Sequence, residues 1–174
     1  LWLYIFRPEG GLLNLALGLF GIKGPNWLLD ENWALPALII MSWWSIGGQI
    51  VIYLAGIKGI PEVLYEAAEI DGANSWARFR FVTLPMLSPT IFFNVVLAII
   101  GALQVFDVGW VLTRGGPNEA TLFYMLNLYE RAFQMAQMGY ASALAWILFV
   151  IIMVITLLVV RSSAAWVYYE AEVR

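Results

Sequence analysis

Three stretches of this chain contain no Asp, Glu, Lys or Arg: Asn32–Ile57, Phe81–Phe106 and Ala132–Val160. A helix needs roughly 20 apolar residues to cross a hydrocarbon core about 30 Å thick, and each run is long enough. Burying three such runs in a water-soluble core would require a far larger protein than 174 residues. The fold class expected is therefore an all-α integral membrane protein. Composition agrees: 12% of residues are charged and 62% are hydrophobic, about half the charged share usual in soluble domains. Mean hydropathy is +0.80.

The same composition excludes several functions. A net charge of −3 is too weak to suggest nucleic acid as a partner. The chain has neither Cys nor His, which removes disulfides, thiol nucleophiles, most zinc chemistry and the commonest general base. A membrane-embedded enzyme would have only scattered Asp and Glu to work with. No Gly-x-x-x-x-Gly-Lys-[Ser/Thr] phosphate loop occurs, so the chain itself is not expected to hydrolyse ATP. No metal site and no cofactor are expected in it.

The order along the chain follows from these runs. Residues 1–6, Leu1 to Phe6, are apolar and stop at Arg7-Pro8-Glu9-Gly10, like the tail of a helix already under way. No basic segment with an apolar stretch and cleavage site is present, and the expectation is a chain truncated at its N-terminus. Gly10–Ile22 is uncharged, but its 13 residues would reach only roughly 20 Å as a helix, so an interfacial or re-entrant segment is expected. Trp27 and Trp33 stand where aromatic belt residues belong.

Spans are expected at 34–56, 81–106 and 140–160, with Pro36 in the first turn of the first. Pro85 and Pro89 near the start of the second imply a kink. A helix through Leu122, Met125, Leu126, Tyr129 and Phe133 should follow the Gly115-Gly116-Pro117 turn. Gly139 should mark the break before the last span, and a short amphipathic tail should run to Arg174. If connections alternate sides, Lys58, Arg78, Arg80, Arg161 and Arg174 face Arg7, Lys23, Arg114 and Arg131 across the bilayer. Five against four barely favours a cytoplasmic loop 57–80.

That loop is the most charged part of the chain. Pro61-Glu62-Val63-Leu64-Tyr65-Glu66-Ala67-Ala68-Glu69-Ile70-Asp71-Gly72 reads as a short helix opened by proline, with carboxylates in its first turns and a left-handed glycine cap at its end. Asn74 can cap a second short helix through Trp76, Phe79 and Arg80. A compact helix–turn–helix between two spans is expected either to dock a partner outside the membrane or to lie on the lipid surface.

Glu66-Ala67-Ala68, Gly72 and then Val82-Thr83-Leu84-Pro85 resemble the cytoplasmic signature of binding-protein-dependent ABC importer permeases. In that signature, Glu-Ala-Ala, three residues, Gly and nine residues precede Ile-x-Leu-Pro. Val82 stands where the family has isoleucine. Tyr53 to Pro61, Phe106-Asp107, Leu112 to Pro117 and Gly139-Tyr140-Ala141-Ser142-Ala143 are similar to the sugar-importer subgroup. So is Phe6 to Asn14, at the end of the third span of such a permease.

The resemblance implies the C-terminal part of a six-helix permease core in a bacterial cytoplasmic (inner) membrane, with loop 57–80 and the C-terminus cytoplasmic. It implies that Glu66, Ala67, Ala68, Gly72, Leu84 and Pro85 couple the subunit to ABC ATPase subunits, which bind the ATP and Mg²⁺. It further implies a second permease subunit, usually a different chain, an extracytoplasmic solute-binding protein and a small-molecule sugar. Another cargo, such as glycerol phosphate, remains the alternative, although no Lys or Arg lies inside the spans to meet a phosphate. A fragment that transports nothing alone is also an open reading.

Candidate pathway residues cluster at the end of the second span. Asp107 and Gln104 are three residues apart, on one face if the helix continues. An amide and a carboxylate beside Phe106 or Trp110 would suit a sugar. Alternatively, Asp107 is the first residue outside the membrane and Gln104 bonds a neighbouring helix. Asn94, Gln49 and Ser45 are further polar candidates, and one of Trp43 and Trp44 could stack on a sugar ring if it is not simply packed.

Overall fold

The computed structural model describes residues 1–168, so the last part of the expected amphipathic tail lies outside the described residues. Among these, every regular element is a helix. The first two are short: α1, Trp2–Ile5, and α2, Leu12–Leu19. The eight residues of α2 reach only about 12 Å. Next come α3, Glu31–Lys58, α4, Glu62–Ile70, and α5, Ser75–Leu103. Last are α6, Tyr124–Tyr129, and α7, Met138–Ser163. Helices α3, α5 and α7 are long and apolar enough to cross a membrane.

Helix α3 begins earlier than its uncharged run because Asp30 caps it, accepting the Asn32 amide at 2.8 Å. Pro36 therefore falls inside the helix rather than in its first turn, and the Asn32 carbonyl loses its usual i→i−4 partner. Midway, Trp44–Ile46 tightens into a 3₁₀ turn before Gly47 and Gly48.

The start of α5 corrects the expected helix–turn–helix. Asn74 does cap, accepting the Ala77 amide at 2.8 Å, but the helix it opens does not end after one turn. Ser75–Arg78 continues through a wide π turn, Phe79–Thr83, into Leu84–Leu103. The supposed second short helix is thus the first turn of the span itself. Pro89 would leave the Pro85 carbonyl unpaired. The Ser88 hydroxyl donates to that carbonyl at 2.6 Å, an adjustment that membrane helices use around proline.

Helix α5 ends at Leu103, short of Phe106. Gln104 closes a tight turn onto the Gly101 carbonyl at 3.2 Å, and a new helical turn opens where Trp110 donates to Phe106 at 2.9 Å. The break before α7 also differs from expectation. It falls at Ala136, with φ of 54°, where the Gln137 amide bonds back to the Arg131 carbonyl at 2.8 Å. Gly139 lies within α7 instead.

The chain forms two compact units. One comprises Leu1–Ser45 and Gly101–Phe149. Its core is Phe6, Trp27, Leu28, Ala37 and Leu38. Asn14 ties its loops together, donating to the Pro8 and Pro25 carbonyls at 2.9 and 3.1 Å and accepting from the Trp27 indole at 2.6 Å. The other unit comprises Ile46–Ile100 and the described residues from Val150 onward. There α3 and α5 approach closely at Gly56, where a Cβ would lie 2.7 Å from Leu87 Cδ1. After α7, the chain returns to α5: Trp166 meets Phe92 edge-on, and the Tyr168 amide donates to Ser88 at 2.8 Å.

Candidate functional site

The signature residues fall on α4 and the lower part of α5, all within the second unit. Helix α4 is closed by a left-handed cap. Gly72 has φ of 76°, its amide reaches the Glu69 carbonyl at 3.0 Å, and the next amide, of Ala73, reaches Ala68 at 2.9 Å. These two bonds form a Schellman motif, which requires the positive φ that glycine adopts without strain. Glu66 and Ala67 are exposed and Ala68 is half-buried, so the Glu-Ala-Ala step presents a carboxylate beside a low surface. Val63, Ile70 and Trp76 are exposed around it. Val82, Leu84 and Pro85 are half-buried at and just after the π turn. The one ion pair found among the described residues joins Arg78 to Glu69 at 3.2 Å, leaving Glu66 outside it.

The pathway candidates are not brought together as the sequence suggested. Because α5 stops at Leu103, Gln104 lies in a turn and Asp107 opens the next helical segment. The two do not share a helix face, although both are exposed. Phe106 belongs to an aromatic cluster: it stacks on Trp110 with centroids 6.2 Å apart and meets Tyr129 edge-on at 5.0 Å. Arg114, held in the left-handed region, places its guanidinium 4.1 Å from the Trp110 ring centroid. Asn94 is buried, and its amide donates to the Thr90 carbonyl of its own helix at 2.8 Å. Ser45 likewise donates locally, to Ser42 at 2.6 Å. Gln49, Trp43 and Trp44 are exposed on α3.

Sequence reasoning missed the bond between Tyr65 and Thr83, whose hydroxyls lie 3.0 Å apart. A residue spacing of 18 across a turn gives no periodic signal. It also missed the 3₁₀ turn in α3, for which the Gly47-Gly48 pair was the available sign.

Residues 1–168 match the family described as the binding-protein-dependent transport system inner membrane component. The chain belongs to that family. The family is one of transport permease components rather than enzymes, and the long apolar helices mark this member as a membrane protein. It is 43% identical over 175 residues to a probable ABC transporter permease, YesP, of Bacillus subtilis, covering 99% of this chain and 56% of that one. It is 38% identical over 160 residues to the lactose transport system permease LacF of Rhizobium radiobacter, covering 88% and 53%. The chain thus spans about half the length of these curated relatives.

Among solved structures it resembles a chain of a bacterial ABC transporter that imports the acidic polysaccharide alginate, with a TM-score of 0.80 and 26% identity. That match covers 94% of this chain and 58% of the other. It also resembles the bacterial alginate transporter in complex with an alginate pentasaccharide-bound periplasmic protein, with a TM-score of 0.79 and 27% identity over 92% and 57% of the two chains.

Proposed function

We propose that this chain is part of the permease subunit of an ATP-driven importer that carries a carbohydrate across a bacterial cytoplasmic membrane. The observation that carries the coupling half of this reading is α4: an exposed, glycine-capped helix bearing Glu66-Ala67-Ala68 and joined by a tight turn to a membrane-length helix. Ala67 lets a partner surface approach closely, and Glu66 offers a carboxylate for a charge-assisted bond to a basic group. On this reading α4 sits on a separate ATPase subunit that binds ATP and Mg²⁺, and loop 57–80 is cytoplasmic. Closure of paired ATPases moves the helix as a rigid body and tips the permease between outward- and inward-facing states.

A carbohydrate cargo is supported by the relatives named for lactose and for trehalose/maltose transport, and by the resemblance to alginate importers. A solute-binding protein on the far side is supported by the complex with a periplasmic protein. A second permease chain completes the pathway, to which Gln104, Phe106 and Asp107 are the side chains proposed to contribute here. Asn94 is proposed as a packing residue, since its amide is committed to Thr90.

The test is co-purification of the complete subunit from membranes, in wild-type and Glu66→Ala forms, with bound chains identified by mass spectrometry. Loss of a charge-assisted bond, worth about 1.5–3 kcal/mol, should weaken retention of the ATPase subunit about tenfold or more. Equal retention by both forms removes Glu66 from the coupling contact. No ATPase with the wild type overturns the reading.

A further inference from the structure

Helix α4 is hydrogen-bonded to α5 at a buried hydroxyl. Tyr65 Oη lies 3.0 Å from Thr83 Oγ1, and Thr83 is buried. Two hydroxyls can exchange donor and acceptor roles, so this bond survives rotation of either hydrogen. The other side-chain link, between Glu69 and Arg78, involves a glutamate that is 72% exposed. Ion pairs of that kind hold little, about 0–1 kcal/mol.

A helix of nine residues cannot keep itself stiff and oriented alone, since isolated helices below about 12–15 residues are marginal. Its attachment therefore decides how faithfully it transmits force. The Schellman turn anchors only its C-terminal end. Tyr65 is six positions before Asp71, roughly 9 Å along the axis. At its other end α4 is held to α3 through residues 59–61, with Ile60 buried, and an anchor at Tyr65 limits the pivoting that these two connections leave.

The π turn helps to make that anchor possible. Within Phe79–Thr83 the bonds widen so that the Leu84 amide reaches the Phe79 carbonyl five residues back. The inserted residue offsets the helix faces before and after it. Thr83 closes the segment, with its hydroxyl also 3.5 Å from the Arg78 carbonyl. The described residues hold two more such segments, Gly109–Thr113 and Glu130–Gln134, so it is the bond to Tyr65, not the wide turn itself, that marks this one.

We propose that Tyr65 and Thr83 are positioning residues, a hydroxyl latch that makes α4 and the start of α5 move as one lever. The latch rests on the reading that α4 docks on an ATPase subunit, and it adds the residues that give the docked helix its stiffness.

The test uses the complete subunit in lipid nanodiscs, purified with its partners. Spin labels are attached at Glu62→Cys on α4 and Phe93→Cys on α5, both exposed positions in a chain without cysteine. Any cysteine outside this sequence is replaced first. Pulsed electron–electron double resonance then gives the distribution of distances between the labels. The wild type should show one narrow distribution. Tyr65→Phe and Thr83→Val, each nearly isosteric, should at least double its width at unchanged yield. The double variant should be no broader than either single one, because both remove the same bond. Thr83→Ser should restore the narrow distribution, which a general packing defect would not do.

Wild-type widths in both single variants overturn the latch, as does additive broadening in the double variant. Whether the ATPase subunit is present is read separately from the same samples by mass spectrometry. Its absence with wild type overturns the docking reading, while unchanged distances with the ATPase bound overturn only the latch.

Discussion

Two glycines of the second unit should each lose stability to one added methyl group, for different physical reasons. Gly72 has φ of 76°, and a Cβ at this position would meet nothing within 4 Å, so Gly72→Ala costs backbone strain alone, about 1–2 kcal/mol. Gly72→Asn should cost less, because asparagine tolerates the left-handed region. Gly56→Ala meets Leu87 and the Thr90 hydroxyl at 2.7 and 3.1 Å, and overpacking of this kind costs about 1–3 kcal/mol. Thermal unfolding of the complete subunit in detergent should lower the midpoint for both alanine variants and less for Gly72→Asn. A midpoint for Gly72→Asn below that of Gly72→Ala would contradict the left-handed cap. Of this pair, Gly72 was legible from its place after Ile70-Asp71, since a local cap has a local signal. The role of Gly56 was not, because it depends on residues more than thirty positions away.

Among the elements, α5 shows how far a cap reaches. Its first turn depends on Asn74, whose side chain accepts the Ala77 amide. Asn74→Ala should remove about 1 kcal/mol from this end of the helix. Hydrogen exchange at Ser75–Arg78 should then quicken several-fold, while exchange at Leu84–Leu103 stays slow. Equal quickening along the entire helix would show that the π turn passes fraying on rather than containing it. The charge-free run located the membrane part of α5 but placed its start six residues late. Charge pattern follows the membrane, whereas helix ends follow caps, and here the two do not coincide. At the other end, the tight turn at Gln104 separated it from Asp107, and no periodicity in Gly101–Asp107 announces that turn.

For the molecule as a whole, the apolar surface is the dominant fact. In their most apolar windows, α3, α5 and α7 bury only 11%, 17% and 6% of residues within the chain. Such surfaces in a soluble protein would aggregate. Lipid or further helices must cover them. Residues 1–174 expressed alone should therefore pellet with membranes and resist extraction by alkaline carbonate. Release into the carbonate supernatant would show that the apolar runs do not insert. Single substitutions in the core should leave this behaviour unchanged, since insertion depends on total apolar length rather than on any one contact.

By itself, the sequence determined the all-helical class, the three membrane-length segments, the glycine-capped α4 and the resemblance carried by Glu66-Ala67-Ala68 and Gly72. Each of these is written in neighbouring residues: length of an apolar run, a cap, a short spacing. Tertiary structure alone decided that Tyr65 bonds Thr83 and that Ser88 also receives the Tyr168 amide. It also decided that Gln104 and Asp107 part company. Those outcomes depend on where separate helices start, stop and touch, and hydroxyl and amide side chains take whichever partner that packing brings within about 3 Å.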